Sequence, residues 1–465
     1  MAERMMALQR SFLTGALVVI VLPLAGCADS LPSLPKITQL NPFQEVQKPL
    51  PGRRVPVLET NATSAVPGEL AAADSSIVLA PQSANDEWSQ PGGTPANAPG
   101  NLAFSGSPKR IWSASAGSGS SKTGRVMAPP IVYQGMAFTL DANGLVRAFN
   151  VASGARVWEQ SLVPESERNA GSGMFSISFS SSSTGGYGGG LAADNGRLFA
   201  ASGFGRVVAL DPATGKQVWE RNLGTPVRAA PTAAGDRVFV VTTEGRFFCL
   251  SGIDGAELWA VRGIPQQASR VIAVSPAVDG NLVIVPYPSG DLMALNVTDG
   301  APAWTESLAR SRGNSQLASL SDAARPAIDN GTVFAVGHAG RMIATQAATG
   351  ERLWSIDVAG IQAPWVSGDS VFVVDTSGRL LAVSRDTGAV RWTAKLPGSR
   401  MWAGPTMAGN VLWLTSDKGA LVGVDALTGR VTTQQSVGTK MFIPPVVAQG
   451  RMLLLTDSAQ LVAYN

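Results

Sequence analysis

The sequence predicts an all-β fold built from repeated units of four antiparallel strands. Short runs rich in Val, Leu, Ile and Phe are broken by Gly, Asp and Asn, which is typical of short strands joined by tight turns. In addition, a phrase such as "DPATGKQVW", in which a Gly precedes a Trp by four residues, returns about every 40 residues. A period of this length that holds four strands is typical of one blade of a β-propeller.

Four positions define each copy of the repeat. A turn Gly opens it, a small residue follows four positions later, a second Gly ten positions later and a Trp fourteen positions later. The opening glycines are Gly144, Gly205, Gly245, Gly290, Gly340, Gly378 and Gly419. The second glycines are Gly154, Gly215, Gly255, Gly300, Gly350, Gly388 and Gly429. The tryptophans are Trp158, Trp219, Trp259, Trp304, Trp354 and Trp392, and Thr433 takes this place in the seventh copy.

These positions predict the path of the chain through each blade. Strand A follows a Pro in most copies, strand B follows a turn, strand C follows the opening Gly, and strand D follows the second Gly and carries the Trp. Glycines permit positive φ in the hairpin turns. A large ring fills the space that widens between neighbouring sheets. We therefore interpret the Gly as a turn residue and the Trp as the residue that packs one blade against the next.

The number of copies predicts how the ring closes. Seven copies are complete, and an eighth, which begins at Ala459, ends with the chain before a strand D can form. Ahead of the first copy, "SPKRIWSAS" places Trp112 in the setting of a strand D. The sequence therefore predicts an eight-bladed β-propeller of four-stranded antiparallel blades, with the last blade closed by the N-terminal strand. A linear array is the alternative, but it would leave the two complementary fragments and a sheet edge unpaired.

The first 26 residues have the composition of a secretory signal, with Arg4 and Arg10 ahead of a short apolar run. The run ends in "LAGC", which resembles the bacterial lipobox and implies that Cys27 is the lipidated N-terminus of the mature protein. An uncleaved anchor helix that ends in an ordinary Cys is the alternative. Residues 27–106, rich in Pro, Ser, Ala and Asn, are expected to be a flexible lipid-anchored tether, and residues 107–465 the propeller.

Stretches such as "GGGLAADNGRLFAASGFGRVVALDPATGKQVW" and "LSDAARPAIDNGTVFAVGHAGRM" resemble quinoprotein-type propellers and, among these, the BamB family of lipoproteins. The resemblance implies a non-catalytic scaffold of the outer-membrane β-barrel assembly (BAM) complex, without a cofactor. It implies a monomeric propeller at the periplasmic face of the outer membrane. Its partners would be the periplasmic domains of BamA and the other BAM lipoproteins, and it would assist the insertion of outer membrane proteins. By resemblance to the sorting rules of lipoproteins, Ala28 after Cys27 favours the outer membrane over retention in the inner membrane.

Two departures from the repeat period predict long surface connections. Trp158 and Trp219 are 61 residues apart, and Trp304 and Trp354 are 50 apart. Such extra residues emerge as loops, where binding residues are often found. The "LSD" at 320–322 matches a BamA-contact motif of the family, which implies Asp322 as a partner-binding residue. A second family motif is replaced by "SRVIAVSP", which leaves Arg270 as a shifted equivalent. Two ordinary solvated charges are the alternative.

An enzyme that uses pyrroloquinoline quinone is the first competing hypothesis. Such an enzyme needs a cation site and a carboxylate base, and no cluster of acidic residues stands out from the turns. The acidic residues that follow strand C are interpreted as turn residues whose carboxylates accept backbone hydrogen bonds: Asp211, Asp254, Asp299 and Asp386.

A glycan- or peptidoglycan-binding lipoprotein is the second competing hypothesis. Trp365 and Trp402 lie outside the strand D series and would be its stacking groups, although packing in the core is the favoured interpretation. His338 is the only histidine, which excludes a metal site of several imidazoles, and it is expected in an exposed turn. Cys249 occupies the small-residue position of strand C and is expected to be buried. The net charge of +3 is scattered and does not favour nucleic-acid binding.

Overall fold

The computed structural model describes residues 76–105, 107–122, 124–164, 188–263, 274–287, 289–308, 324–338 and 340–465. All regular structure in these ranges is β, arranged as eight four-stranded antiparallel sheets, which confirms the predicted all-β propeller. Across the same ranges there is no helix long and apolar enough to span a membrane.

In chain order the strands are β1 (Arg110–Ser115), β2 (Ile131–Tyr133), β3 (Met136–Leu140), β4 (Leu145–Asn150), β5 (Arg156–Ser161), β6 (Gly189–Asp194), β7 (Arg197–Ser202), β8 (Arg206–Leu210), β9 (Gln217–Asn222), β10 (Thr232–Ala234), β11 (Arg237–Val241), β12 (Arg246–Ser251), β13 (Glu257–Arg262), β14 (Ala277–Asp279), β15 (Leu282–Pro286) and β16 (Asp291–Asn296). They continue as β17 (Pro302–Ser307), β18 (Ala327–Asp329), β19 (Thr332–Gly337), β20 (Arg341–Gln346), β21 (Arg352–Ile356), β22 (Trp365–Ser367), β23 (Ser370–Val374), β24 (Arg379–Ser384), β25 (Val390–Lys395), β26 (Trp402–Ala408), β27 (Val411–Ser416), β28 (Ala420–Asp425), β29 (Val431–Ser436), β30 (Val446–Ala448), β31 (Arg451–Leu455) and β32 (Gln460–Tyr464).

Each of blades 1 to 7 uses four consecutive strands, from β2–β5 in blade 1 to β26–β29 in blade 7. The first strands of neighbouring blades contact one another, so strand A lies nearest the axis and strand D forms the outer rim. Strands A to C are largely buried, whereas the D strands alternate between exposed and partly buried residues. The antiparallel order puts the A–B and C–D turns at one end of the ring, the A–B end. The B–C turns and the connections from strand D to the next strand A lie at the other, the D–A end.

Blade 8 joins the two ends of the propeller domain, as predicted. Its strand order is β1-β32-β31-β30, so the N-terminal strand supplies the missing strand D. Trp112 pairs with Ala463, and Lys109 and Asn465 exchange backbone hydrogen bonds of 3.1 and 3.0 Å. Closure therefore rests on one antiparallel pairing between the start and the end of the domain.

The structure shows what each Trp packs against: the second Gly of the following blade. A methyl group on Gly255 would lie 2.6 Å from Cε3 of Trp219, which belongs to the preceding blade. The indole N–H of Trp219 also donates to the carbonyl of Gly252 in the same turn, at 3.0 Å. The other Trp–Gly contacts of this kind are Trp112–Gly154, Trp158–Gly215, Trp259–Gly300, Trp304–Gly350, Trp354–Gly388 and Trp392–Gly429. Their indole N–H groups all donate to a carbonyl of the next blade, at 2.7–3.1 Å.

Thr433 breaks the repeat at the one interface where no such contact can form. It lies in β29 of blade 7, and the next blade is blade 8. The C and D strands of blade 8 come from opposite ends of the domain, so no C–D turn joins them and no second Gly exists there. A Trp at this position would have no glycine turn to pack against and no turn carbonyl to accept its indole N–H, which accounts for the exception.

Residues 76–105 differ from the predicted flexible tether because they pack against the propeller. They form a segment, here called the strap, that lies against the A–B end of the ring with Trp88 only 1% exposed. Backbone groups of Trp88 and Val132 exchange hydrogen bonds of 2.7 and 2.9 Å. The flexible tether expected for residues 27–106 is therefore wrong for this stretch, because hydrogen bonds to the inner strands hold it in place. The predicted tether up to residue 75, the signal segment and Cys27 lie outside the described residues.

The strap reaches the innermost strand of every blade. Its contacts are hydrogen bonds: five of the eight pairs below join backbone atoms, and three use the side chain of Asn85, Gln90 or Trp365. The pairs, from blade 1 to blade 8, are Trp88–Val132, Ser89–Ala193, Gln90–Ala233, Pro95–Val278, Ala96–Ile328, Gly100–Trp365, Leu102–Met407 and Asn85–Val447. The strap therefore connects all eight blades around the axis and closes this end of the central channel.

The Trp–Gly contact can be tested with two glycines of blade 3. Gly245 and Gly255 have φ of 72° and 74°, but a methyl group would meet nothing within 4 Å at Gly245. Gly245→Ala should therefore cost only the left-handed backbone conformation, about 1–2 kcal/mol. Gly255→Ala should cost about 1–3 kcal/mol more, because its methyl group forces Trp219 to move. Urea unfolding of both variants measures the difference. Equal losses of unfolding free energy in the two variants would show that packing of the Trp219 indole does not require a Gly at position 255.

Truncation of Trp88 tests whether the strap belongs to the folded core. Trp88→Ala should reduce the free energy of unfolding by about 3–5 kcal/mol, as for other fully buried aromatic residues. Val78→Ala is the matched control in the same segment, because Val78 is 61% exposed and its loss should stay within about 0.5 kcal/mol. Melting curves that coincide for both variants and the parent chain would mean that the strap is a detached tether.

Candidate functional site

The central channel is closed by the strap at the A–B end and opens at the D–A end as a funnel of about 230 Å³. Trp88, Pro91, Gly92 and Asn97 of the strap form part of its lining. Its walls come from six connections or strand A regions: Met127 and Pro129, Val274, Arg325, Ile361–Trp365, Gly404–Thr406, and Phe442–Pro444. The funnel is therefore assembled from residues that are far apart in the sequence.

Arg325 is the only charged residue among the described residues that line the funnel. It is half-buried in the connection between blades 4 and 5, and its Nη1 donates to the carbonyl of Pro91 at 2.9 Å. Its Nε is buried and has no hydrogen-bond partner among the residues that the structure describes. Burial lowers the pKa of Arg325 to about 10, so the guanidinium stays charged at neutral pH. The funnel thus presents one cation in mainly apolar surroundings.

The described funnel lining offers no carboxylate to act as a general base or to hold a cation. The part of the chain that the structure describes also holds no group of three His, Cys, Asp or Glu residues placed to bind a metal ion. A quinone and its cation therefore find no acidic ligand among these residues. This arrangement can bind an anionic group but supplies no recognisable acid–base pair.

The carboxylates of three acidic turn residues accept hydrogen bonds within their own turns, as the sequence predicts. Asp211 accepts hydrogen bonds from the backbone N–H and the hydroxyl of Thr214 at 2.8 and 2.7 Å, and the hydroxyl contributes most to lowering the pKa of Asp211. Asp254 and Asp299 each accept from the backbone N–H two residues later, at 3.1 and 2.9 Å. These turns lie at the A–B end, away from the funnel mouth.

Neither extra Trp is a free stacking group. Trp365 and Trp402 are 6% and 5% exposed. The indole N–H of Trp365 donates to the strap carbonyl of Gly100 at 2.8 Å, and its ring stacks on Trp88 with a centroid distance of 6.2 Å. Trp402 donates to the carbonyl of Ser399 at 3.1 Å. The favoured interpretation, packing in the core, is confirmed for both residues.

Cys249 lies in a buried strand and His338 in a turn. Cys249 is fully buried in β12 opposite Trp259, and this burial raises the pKa of its thiol to about 12, so the thiolate is disfavoured. The prediction of a small buried residue is confirmed. His338 follows β19 in a turn, as predicted, but it is half-buried rather than exposed.

The predicted partner residues Asp322 and Arg270 lie outside the described residues. In the sequence, Arg270 falls between β13 and β14, and Asp322 between β17 and β18. Both therefore belong to connections from a strand D to the next strand A. The described parts of such connections also expose three large apolar residues on consecutive blades: Ile361, Met401 and Phe442.

Fold and site together define a class: a closed eight-bladed propeller of the quinoprotein type whose described funnel lining contains a cation and no carboxylate. The family model described as "Outer membrane protein assembly factor BamB" matches residues 142–394 and 392–465. The chain belongs to this BamB family, which confirms the resemblance seen in the sequence.

Individual relatives agree with this assignment. BamB of Yersinia pestis is 25% identical over 362 residues, which cover 77% of this chain and 89% of that protein. The crystal structure of BamB from Moraxella catarrhalis is similar with a TM-score of 0.64 at 18% identity, covering 77% of this chain and all of that one. Quinohemoprotein alcohol dehydrogenase from Comamonas testosteroni also gives a TM-score of 0.64, at 14% identity over 81% of this chain and 80% of that one. The fold is therefore shared by an outer membrane protein assembly factor and an alcohol dehydrogenase, and function must be argued from the site.

Proposed function

We propose that this protein is a non-catalytic scaffold lipoprotein of the BAM complex. In this proposal it binds the periplasmic domains of BamA, works with the other BAM lipoproteins and assists the insertion of outer membrane proteins. Membership of the BamB family carries the proposal. The funnel supports it, because the described lining has no carboxylate that could act as a base or hold a cation for quinone chemistry.

The D–A end is the proposed docking surface for BamA. The centre of the A–B end is covered by the strap, so it cannot receive a partner without displacing hydrogen bonds to every blade. The D–A end is open at the funnel and exposes Ile361, Met401 and Phe442, which suits the apolar core of a protein interface. The connections that contain Arg270 and Asp322 start and finish at this end.

The binding test is a titration of BamA's periplasmic domains with this protein. Asp322→Lys should weaken binding about 30-fold or more, as expected when a charge pair across an interface is replaced by repulsion. Asp386→Lys is the matched control, because Asp386 is an exposed turn residue at the A–B end. Both variants should keep their stability within about 0.5 kcal/mol. Equal affinities for the two variants would remove Asp322 from the site, and no binding by the parent chain would refute the scaffold function.

The anchor test concerns Cys27 alone. Cys27→Ser should release the protein from outer membranes without detergent, because stable anchoring needs more than one buried acyl chain and this variant can carry none at that position. Fractionation after a high-salt wash and the intact mass of the wild-type protein provide the two measurements. Retention of the variant in the membrane together with an unacylated wild-type protein would contradict the lipid anchor.

A further inference from the structure

We propose that the funnel binds an acidic side chain that a partner protein carries next to apolar residues, and that Arg325 is its counter-ion. This inference rests on the proposed scaffold function and names the chemistry of one anchor in its interface. It concerns a pocket on the axis of the ring.

The hydrogen bonding of Arg325 and its lack of a carboxylate partner among the described residues are the first observation that supports the proposal. Its Nη1 is held by the carbonyl of Pro91, so the strap fixes the position of the guanidinium. Nearby, the amide of Asn97 donates to the carbonyl of Pro326 at 2.9 Å, which also ties this connection to the strap. Yet Nε has no partner, and no carboxylate pairs with Arg325 among the described residues. A partly buried cation without a counter-charge is costly, so an arriving carboxylate would be favoured by both charge and hydrogen bonding.

The walls of the funnel are the second observation. Ile361 and Phe442 line the funnel and remain 41% and 38% exposed, so they give its mouth apolar surface. Ile361 lies in the connection that precedes blade 6, and Phe442 lies in the connection that follows blade 7. The mouth therefore has apolar surface on more than one side. A carboxylate that enters beside an aromatic or aliphatic group would therefore satisfy Arg325 and cover these side chains together.

The size of the funnel indicates what can enter it. Its volume of about 230 Å³ lies below the range of about 300–1,000 Å³ that is typical of pockets for drug-sized ligands and cofactors. One inserted acidic side chain and part of an apolar neighbour fit this volume better than a multi-ring cofactor does. Because the described residues leave the mouth open at the D–A end, a partner segment can reach it without moving the strap.

A blocked tripeptide, acetyl-Phe-Glu-Phe-amide, is the probe, and calorimetry of its binding to the full chain is the measurement. Its Gln counterpart should bind about tenfold more weakly or worse, because it loses the charge-assisted hydrogen bond. Arg325→Gln should weaken binding of the Glu peptide by a similar factor. Arg400→Gln is the matched control, since Arg400 is exposed in another D–A connection outside the funnel lining, and it should leave affinity unchanged.

A purely structural role for Arg325, as an anchor of the strap, predicts a different result. In that case Arg325→Gln would lower the melting temperature, and the Glu and Gln peptides would bind the parent chain equally or not at all. Phe442→Ala separates the two roles if Arg325→Gln destabilises the fold, because Phe442 is exposed at the mouth and lies outside the strap. Weaker binding by Phe442→Ala at an unchanged melting temperature supports the proposal, and unchanged binding overturns it.

Two further outcomes separate this inference from the scaffold function. Free 3-phenylpropionate, bound as tightly as the Glu peptide, would overturn the assignment to a peptide and indicate a small-acid site. A parent chain that binds BamA's periplasmic domains but neither peptide would overturn the funnel proposal while the scaffold function stands. The result that we expect is Glu-peptide binding that depends on Arg325 and Phe442 but not on Arg400.

Discussion

The contact between the indole of one blade and the bare Gly of the next is the constraint on which the ring depends. Two observations explain why this position is Gly: its φ is positive, and a methyl group would lie 2.6–2.8 Å from the Trp ring at each such interface. The indole N–H then fixes the neighbouring blade through one backbone carbonyl. The repeated Gly and Trp are therefore the residues through which neighbouring blades contact each other. The repeat fails at Thr433, where the next blade has no C–D turn.

The strap adds a second constraint of a different kind. Trp-to-Gly contacts join neighbours around the outer part of the ring, whereas the strap joins all eight inner strands near the axis. It also gives the propeller two unlike ends. One is covered by backbone hydrogen bonds, and the other keeps an open funnel with a cation and exposed apolar walls. In the proposed function, this asymmetry leaves the D–A end as the surface on which a partner can dock.

Most of the ring could be predicted from the sequence, because each blade repeats the same turn and packing residues and because Trp112 supplies the missing strand D. The strap could not, because its backbone contacts can be made by many residue types and its Pro- and Asn-rich composition is that of a linker. Trp88, a large aromatic residue in such a segment, was the available signal. The funnel escaped prediction because its walls converge from separate connections. Arg325 therefore looks like an ordinary surface charge until its neighbours are known.

Hydrogen exchange of the protein, free and bound to BamA's periplasmic domains, tests most directly the claim that the D–A end is the working surface. Slower exchange on binding is expected in residues 357–364, 396–401 and 437–445, which are connections from a strand D to the next strand A at this end. The strap, residues 76–105, should be protected to the same degree in both states, because it is already bonded to the inner strands. Slower exchange confined to the strap and the A–B turns, with the D–A connections unchanged, would contradict the account.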